Sequence, residues 1–126
     1  MKYKALLIDD SKPVSYFNKV VLERSNKFSS IELASNGLEA VSILDSGYTA
    51  DVIFLDINMP VMNGWQFLEH YQQRELNQTP IILLLATMPR QAEQDKLASY
   101  PFVKGVKKKM LSQEMLEEII DHMILV

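Results

Sequence analysis

Residues 51–60 read DVIFLDINMP, in which four unbroken apolar side chains, Val52 to Leu55, run straight into the carboxylate of Asp56. A short apolar run without alternation is what a strand shows when helices cover both of its faces, as in a parallel sheet. Asp56 therefore stands where a buried strand ends. Alone in that place, an aspartate is ordinarily a turn former or a helix cap. Its meaning depends on what the rest of the chain brings beside it.

The same pattern recurs on either side. Ala5 to Ile8 and Ile81 to Leu85 are also unbroken apolar runs, followed by Asp9 and Asp10 in the first case and by Ala86 and Thr87 in the second. These three segments are the expected central strands. Ile31 to Ala34 and Phe102 to Val106 mix polar with apolar positions, as strands with less complete cover do, and are the expected edges. Between them, Val14, Phe17 and Val21 recur at helical spacing, with Pro13 tolerated in the first turn. Asn36 before Glu39 and Asn63 before Gln66 each place a capping acceptor three residues ahead of a side chain that reaches back, which opens a helix. A fourth helix is predicted over Arg90 to Tyr100, stopping before Pro101, and a fifth after Ser112, stacking Met115, Leu116, Ile119, Ile120 and Met123 on one face. Strict alternation of strands and helices makes an α/β fold with a parallel sheet.

Nothing in the composition suggests a second unit. No low-complexity tract, linker or repeat divides the sequence, and the polar stretch Gln72 to Thr79 reads as a connecting loop, so one domain over residues 1–126 is expected. The chain has 126 residues, 48% of them hydrophobic, enough for one core. Sixteen acidic against 13 basic side chains give a net charge of −3, which advertises neither nucleic acid nor an anionic membrane as partner. The absence of cysteine excludes disulfides, thiol chemistry and cysteine metal sites. The apolar run at Ala5 to Ile8 is too short for a signal peptide, and no segment is long enough to span a bilayer, so the expected setting is cytoplasmic.

In open parallel sheets ligands collect outside the carboxyl ends of the strands. On that rim this chain places Asp9, Asp10 and Asp56, the hydroxyl of Thr87, and the run Lys107, Lys108, Lys109. Three carboxylates close together either hold a proton or enclose a cation. Oxygen donors without histidine or cysteine select a hard ion, and Mg²⁺ with a few carboxylates and a phosphate oxygen is the simplest case. A carboxylate among them can act as the nucleophile and become an aspartyl phosphate, and Asp56, in the middle, is the candidate.

Four stretches then resemble one family throughout the chain: LLIDDS at 6–11, DVIFLDINMPVMNGWQFL at 51–68, TPIILLL at 79–85 and VKGVKKKML at 103–111. The sequence resembles the receiver domain of response regulators, the phosphoacceptor module of two-component signalling. The resemblance implies a flavodoxin-like, doubly wound five-stranded parallel sheet of order 2-1-3-4-5 with helices on both faces, in agreement with the edge and centre assignment above. It implies that Asp56 accepts a phosphoryl group from a histidine kinase or histidine phosphotransfer protein. Asp10 and Asp56 would hold Mg²⁺ directly, Asp9 through water, and the backbone carbonyl of Asn58 would complete the set. Lys109 would pair with the phosphoryl group. No steady enzymatic turnover is implied beyond self-catalysed acceptance and slow autodephosphorylation.

Three positions depart from the family. A hydroxyl usually ends the fourth strand: counting from Pro80 places Leu85 there, from Asp56 Ala86, and back from Lys109 Thr87, the one of the three with a hydroxyl and so the expected switch residue. An aromatic usually stands three residues before the lysine, and here it is Val106. A proline usually follows the lysine, often after a cis peptide bond; here Met110 follows. A cis bond to another residue costs about 2.5 to 4 kcal/mol, so a trans bond or local strain is expected.

The remaining features carry less. His70 and His122 lack partners at metal spacing, and Gly37, Gly47, Gly64 and Gly105 form no nucleotide fingerprint. Trp65 reads as a packing residue near the site, and Lys104 with Lys107 to Lys109 as a solvated rim plus one functional amine, so nucleic acid is not expected. The sequence ends at Val126, just after the fifth helix, which leads to the expectation of output through protein contact. The family's usual surface for this is helix four, strand five and helix five, toward an unidentified downstream protein, with the chain a monomer or a phosphorylation-dependent dimer. Two other functions compete. A degenerate receiver would bind partners regardless of phosphorylation. A small aspartyl phosphatase would need an acid two residues after the nucleophile, where Asn58 cannot donate a proton.

Overall fold

The computed structural model describes residues 2–74 and 79–124, for 123 and 124 the backbone alone. Five strands alternate with five helices: β1 Tyr3–Ile8, α1 Lys12–Arg24, β2 Phe28–Ala34, α2 Gly37–Asp45, β3 Val52–Leu55, α3 Gly64–Gln72, β4 Ile81–Leu85, α4 Gln91–Leu97, β5 Val103–Lys108 and α5 Gln113–Ile119. A wider helical turn, Ile120–Ile124, continues α5. The strands pair in parallel in the order β2-β1-β3-β4-β5, which puts the three continuous apolar runs at the centre and the mixed ones at the edges.

Alternation along the strands divides the core into two layers. Leu6, Ile8, Ile53, Leu55, Leu83 and Leu85 face Ala40, Phe67, Leu68 and Tyr71 of α2 and α3. Ala5, Leu7, Val52, Phe54, Ile82 and Leu84 face Val21 and Leu22 of α1 and Leu116 and Ile119 of α5. The helices begin where side chains satisfy their free N–H groups. Asn63 and Gln66 form a reciprocal capping box at α3, Asn36 accepts from the Glu39 N–H at α2, and Ser112 from the Met115 N–H at α5.

Strands β1, β2 and β5 depart from their expected bounds, β1 beginning at Tyr3, β2 at Phe28 and β5 running Val103–Lys108, and three further details differ from the sequence expectation. The buried face of α1 consists of Ser15, Asn18, Val21 and Leu22, whereas Phe17 is 43% exposed. A periodicity that counts only apolar residues rotates the helix wrongly when its inner face contains polar ones. The fourth helix is shorter than Arg90 to Tyr100: α4 closes at Leu97, and Tyr100 is buried instead in the connection to β5. In the predicted loop Gln72 to Thr79, Gln72 still belongs to α3, and residues 75–78 lie outside the described residues. So does the side chain of Met123, expected on the face where Leu116, Ile119 and Ile120 are buried. Among the described residues no helix is long and apolar enough to cross a membrane.

Candidate functional site

The parallel register sets the site. Ile8 pairs with Leu55, and the Asp56 N–H donates to the Ile8 carbonyl at 2.9 Å, so the first residues past β1 and β3, Asp9 and Asp56, come side by side. On the other flank the Lys109 N–H donates to the Leu85 carbonyl at 3.0 Å, which brings Lys109 one step beyond β5 to the same rim. Its ammonium lies 3.3 Å from Asp9 Oδ2 and 3.2 Å from Asp56 Oδ2. The neighbouring lysines point elsewhere: Lys107 pairs with Glu118 at 2.7 Å, and Lys108 is exposed.

Asp56 is 3% exposed and Asp9 8%, while Asp10 faces solvent. Asp9 Oδ1 accepts the Ser11 N–H at 2.9 Å, and the Asn58 backbone N–H lies on the side of the Asp56 carboxylate where it favours the charged form. Burial, and then the charge of Asp9, push the Asp56 carboxyl above its ordinary range, against the opposing pull of Lys109 and the Asn58 N–H. Burial also works against the Lys109 ammonium, but its hydrogen bond to Asp56 and the charges of Asp56 and Asp9 outweigh it and raise its pKa. Asp56 is thus a carboxylate whose negative charge is only partly compensated by the protein.

Carboxylate oxygens of Asp9, Asp10 and Asp56 lie within 4.8 Å of one another. Among the described residues this is the one group of three or more histidine, cysteine, aspartate or glutamate side chains close enough to share a metal ion. The donors are all hard oxygens, and the charge they leave uncompensated calls for a cation, so the set fits Mg²⁺. His70 and His122 lie apart from it, on α3 and in the turn after α5. Trp65 packs against the α2–α3 layer, with the Lys96 ammonium 4.2 Å from its ring centre.

Thr87 is placed differently from the other predicted residues. β4 ends at Leu85; Ala86 and Thr87 follow in the connection to α4, both exposed. Among the described residues the Thr87 hydroxyl makes no hydrogen bond to Asp56 or Lys109. The last side chain of β4 is that of Leu85, buried in the same layer against which Val106 packs. Met110 has no cis bond before it and takes φ +70°, a left-handed conformation that strains an L-residue, so both a trans bond and local strain are found.

Several supporting residues escaped the sequence reading. The Ser15 hydroxyl donates to the Asp9 carbonyl at 3.4 Å, and Asn18 Oδ1 accepts the Leu111 N–H at 2.8 Å. Gly64 lets α3 start against the backbone of the site, since a Cβ there would lie 2.5 Å from Ile57 Cα and 2.7 Å from the Asp56 carbonyl oxygen. The polar pair at 15 and 18, three apart and in step with Val21 and Leu22, was the available signal for the first two.

Comparison with known proteins agrees with this geometry. Residues 5–120 match the family model of the response regulator receiver domain. The chain is 44% identical over 55 residues, 44% of its length, to the Regulator of RpoS of Escherichia coli K12, of which it covers 16%. It is 35% identical over 81 residues, 64% of its length, to the transcriptional regulatory protein YdfI of Bacillus subtilis, of which it covers 37%. The chain therefore spans well under half the length of either relative. Among solved structures, a two-component response regulator from Cytophaga hutchinsonii superposes with a TM-score of 0.85 at 25% identity, with 96% of each chain covered. The chemotaxis protein CheY4 of Vibrio cholerae superposes with a TM-score of 0.81 at 25% identity, covering 96% of this chain and 98% of that one.

Proposed function

The chain belongs to the response regulator receiver family, and from that premise we propose that Asp56 is its phosphoacceptor. The donor is the phosphohistidine of a histidine kinase or histidine phosphotransfer protein. The observation that carries the reading is the convergence of Asp9, Asp10 and Asp56 with the Lys109 ammonium at the carboxyl ends of β1, β3 and β5.

In the transfer, an Asp56 carboxylate oxygen bonds to phosphorus as the phosphorus–nitrogen bond of the donor breaks. The imidazole leaves with that electron pair and takes a proton from solvent. Asp10, Asp56 and the Asn58 carbonyl, with Asp9 through water, would hold Mg²⁺, which when bound would supply positive charge to offset the phosphoryl oxygens. Lys109 stands where its ammonium can exchange an Asp56 oxygen for a phosphoryl oxygen, and its contact at 3.2 Å keeps the attacking carboxyl oriented. Acceptance is self-catalysed and single-turnover, and the signal passes on as protein contact through α4, β5 and α5. Residues 1–126 act as one unit in a cytoplasmic setting.

Incubation with a small phosphodonor and Mg²⁺, read by intact mass, tests the reading. One phosphoryl mass is expected on the unmodified chain and none on Asp56→Asn. Absence of the gain, or its persistence in the variant, removes the proposal.

A second reading draws on Leu85 and Val106. With no hydroxyl on the last residue of β4 and no aromatic at 106, the domain could bind its partner equally well with and without phosphate. Equal partner affinities for the two forms would favour it.

A further inference from the structure

The lysine that serves Asp56 stands at the start of an unusual turn. Lys109 is tied by its N–H to the Leu85 carbonyl, Met110 takes φ +70°, and Leu111 is 2% exposed. A left-handed L-residue costs about 1 to 2 kcal/mol, so the turn persists only where its surroundings hold it. The hold comes from α1. Asn18 is itself 2% exposed, in a layer otherwise formed by Val21, Leu22, Phe54, Leu84 and Leu116, and a buried amide is costly there unless its polar atoms are used. Its Oδ1 accepts the Leu111 N–H at 2.8 Å from ninety-three positions away. One turn further along α1, the Val21 carbonyl accepts Gln113 Nε2 at 2.9 Å. One turn earlier, the Ser15 hydroxyl reaches the Asp9 carbonyl at 3.4 Å. One helix face therefore grips both the segment that bears Lys109 and the segment that bears Asp9.

We infer that Asn18 is a positioning residue for phosphoryl acceptance: by holding the Leu111 N–H it fixes the turn at 109–111 and with it the Lys109 ammonium between Asp9 and Asp56. The inference rests on Asp56 being the phosphoacceptor. It does not touch the reacting atoms; it acts through Lys109. Lys109 spans two carboxylates at 3.3 and 3.2 Å, so a small shift of its backbone breaks at least one contact. Misplacement by about 1 Å can cost up to about a hundredfold in rate.

The test compares rates of phosphoryl gain from a small phosphodonor with Mg²⁺ in the full chain, Asn18→Ala, Asn18→Asp, Lys109→Met and the double variant Asn18→Ala/Lys109→Met. Folding is checked by circular dichroism. Asn18→Ala is expected to slow acceptance by about tenfold or more, whereas Asn18→Asp, which keeps an acceptor oxygen for Leu111, retains most of the rate. The double variant is expected to be no slower than Lys109→Met, because residues acting through one another do not add. A merely structural residue would slow both backgrounds equally, and that result, or unimpaired acceptance by a folded Asn18→Ala, overturns the inference. Should Asn18→Ala fail to fold, Asn18→Asp decides: retained acceptance supports the role and loss comparable to Lys109→Met refutes it. An unmodified chain that gains no phosphoryl group removes the premise instead.

Discussion

Asp56→Asn should stabilise the protein in the absence of divalent metal while abolishing its chemistry. At an effective dielectric of about 20, two carboxylates with oxygens within 4.8 Å of one another repel by ~3.5 kcal/mol or more. In the same approximation the Lys109 ammonium at 3.2 Å attracts Asp56 by ~5 kcal/mol. The attraction is thus of the same order as the repulsion from Asp9, with exposed Asp10 adding a screened share, and it leaves the desolvation of the Asp56 charge unmatched. Asparagine removes that charge at nearly constant volume, and Lys109 keeps Asp9 at 3.3 Å. The net expectation is a gain of about 2 kcal/mol, or about 7 °C in Tm for a chain of this size. The pH dependence has a definite sign. Because the folded-state pKa of Asp56 is raised, the folded protein binds more protons than the unfolded chain in that window, and stability falls as pH rises through the folded pKa. The advantage of Asp56→Asn should therefore grow from acid toward neutral pH. Urea unfolding in chelator at several pH values measures it. A variant equal to or weaker than the unmodified protein at neutral pH would refute the account of Asp56 as an undercompensated charge.

Metal should reverse the comparison, since a ligand that binds only the folded state at a hundred times its Kd adds about 2.7 kcal/mol; titrating Mg²⁺ into thermal melts should raise the unmodified protein more than Asp56→Asn. Gly64→Ala places a Cβ against the backbone of residues 56 and 57 and should cost about 1 to 3 kcal/mol in urea unfolding and slow phosphoryl gain, because α3 must move off the carbonyl of Asp56. Val61, 71% exposed at φ +69°, is strained without packing to compensate, and Val61→Gly should stabilise by about 1 kcal/mol, read as a higher urea midpoint with an unchanged slope.

The sheet was legible because its central strands carry the least ambiguous pattern available: the bounds of β3 and β4 coincide with the apolar runs Val52 to Leu55 and Ile81 to Leu85. The acidic rim was legible for the same reason, since parallel neighbours in register bring their carboxyl ends together, and Asp9, Asp56 and Lys109 each stand one residue past a strand. What escaped depends on partners remote in the chain. Asn18 looks like a surface residue until its acceptor is matched with the Leu111 N–H, and Phe17 looks like core until Ser15 and Asn18 are known to take the inner face. The place of Thr87 turned on how the connection after β4 runs, which no local pattern encodes.

On the proposed reading, the acceptor chemistry and the transmission of its result rest on different residues. Charge gathers at Asp56 through the rim of β1, β3 and β5, whereas the layer toward α4 ends in apolar side chains, Leu85 and Val106. Helix α4 has no buried residue; it meets the core through the half-buried Leu97 and touches Trp65 through the exposed Lys96, so it is weakly held. A new anion at Asp56 has no hydroxyl on the last residue of β4 to draw inward. It does have Lys109, already shared between two carboxylates and joined through Met110 and Leu111 to Asn18 of α1. Were Asp56 to carry a phosphoryl group, as proposed, a shift of that ammonium toward it would loosen its contact with Asp9 and load the strained turn at Met110, which precedes α5. On the proposed reading, the connection from Lys109 through the turn to the Leu111 N–H and Asn18 leads to α1 and the start of α5, on the opposite face of the sheet from α3.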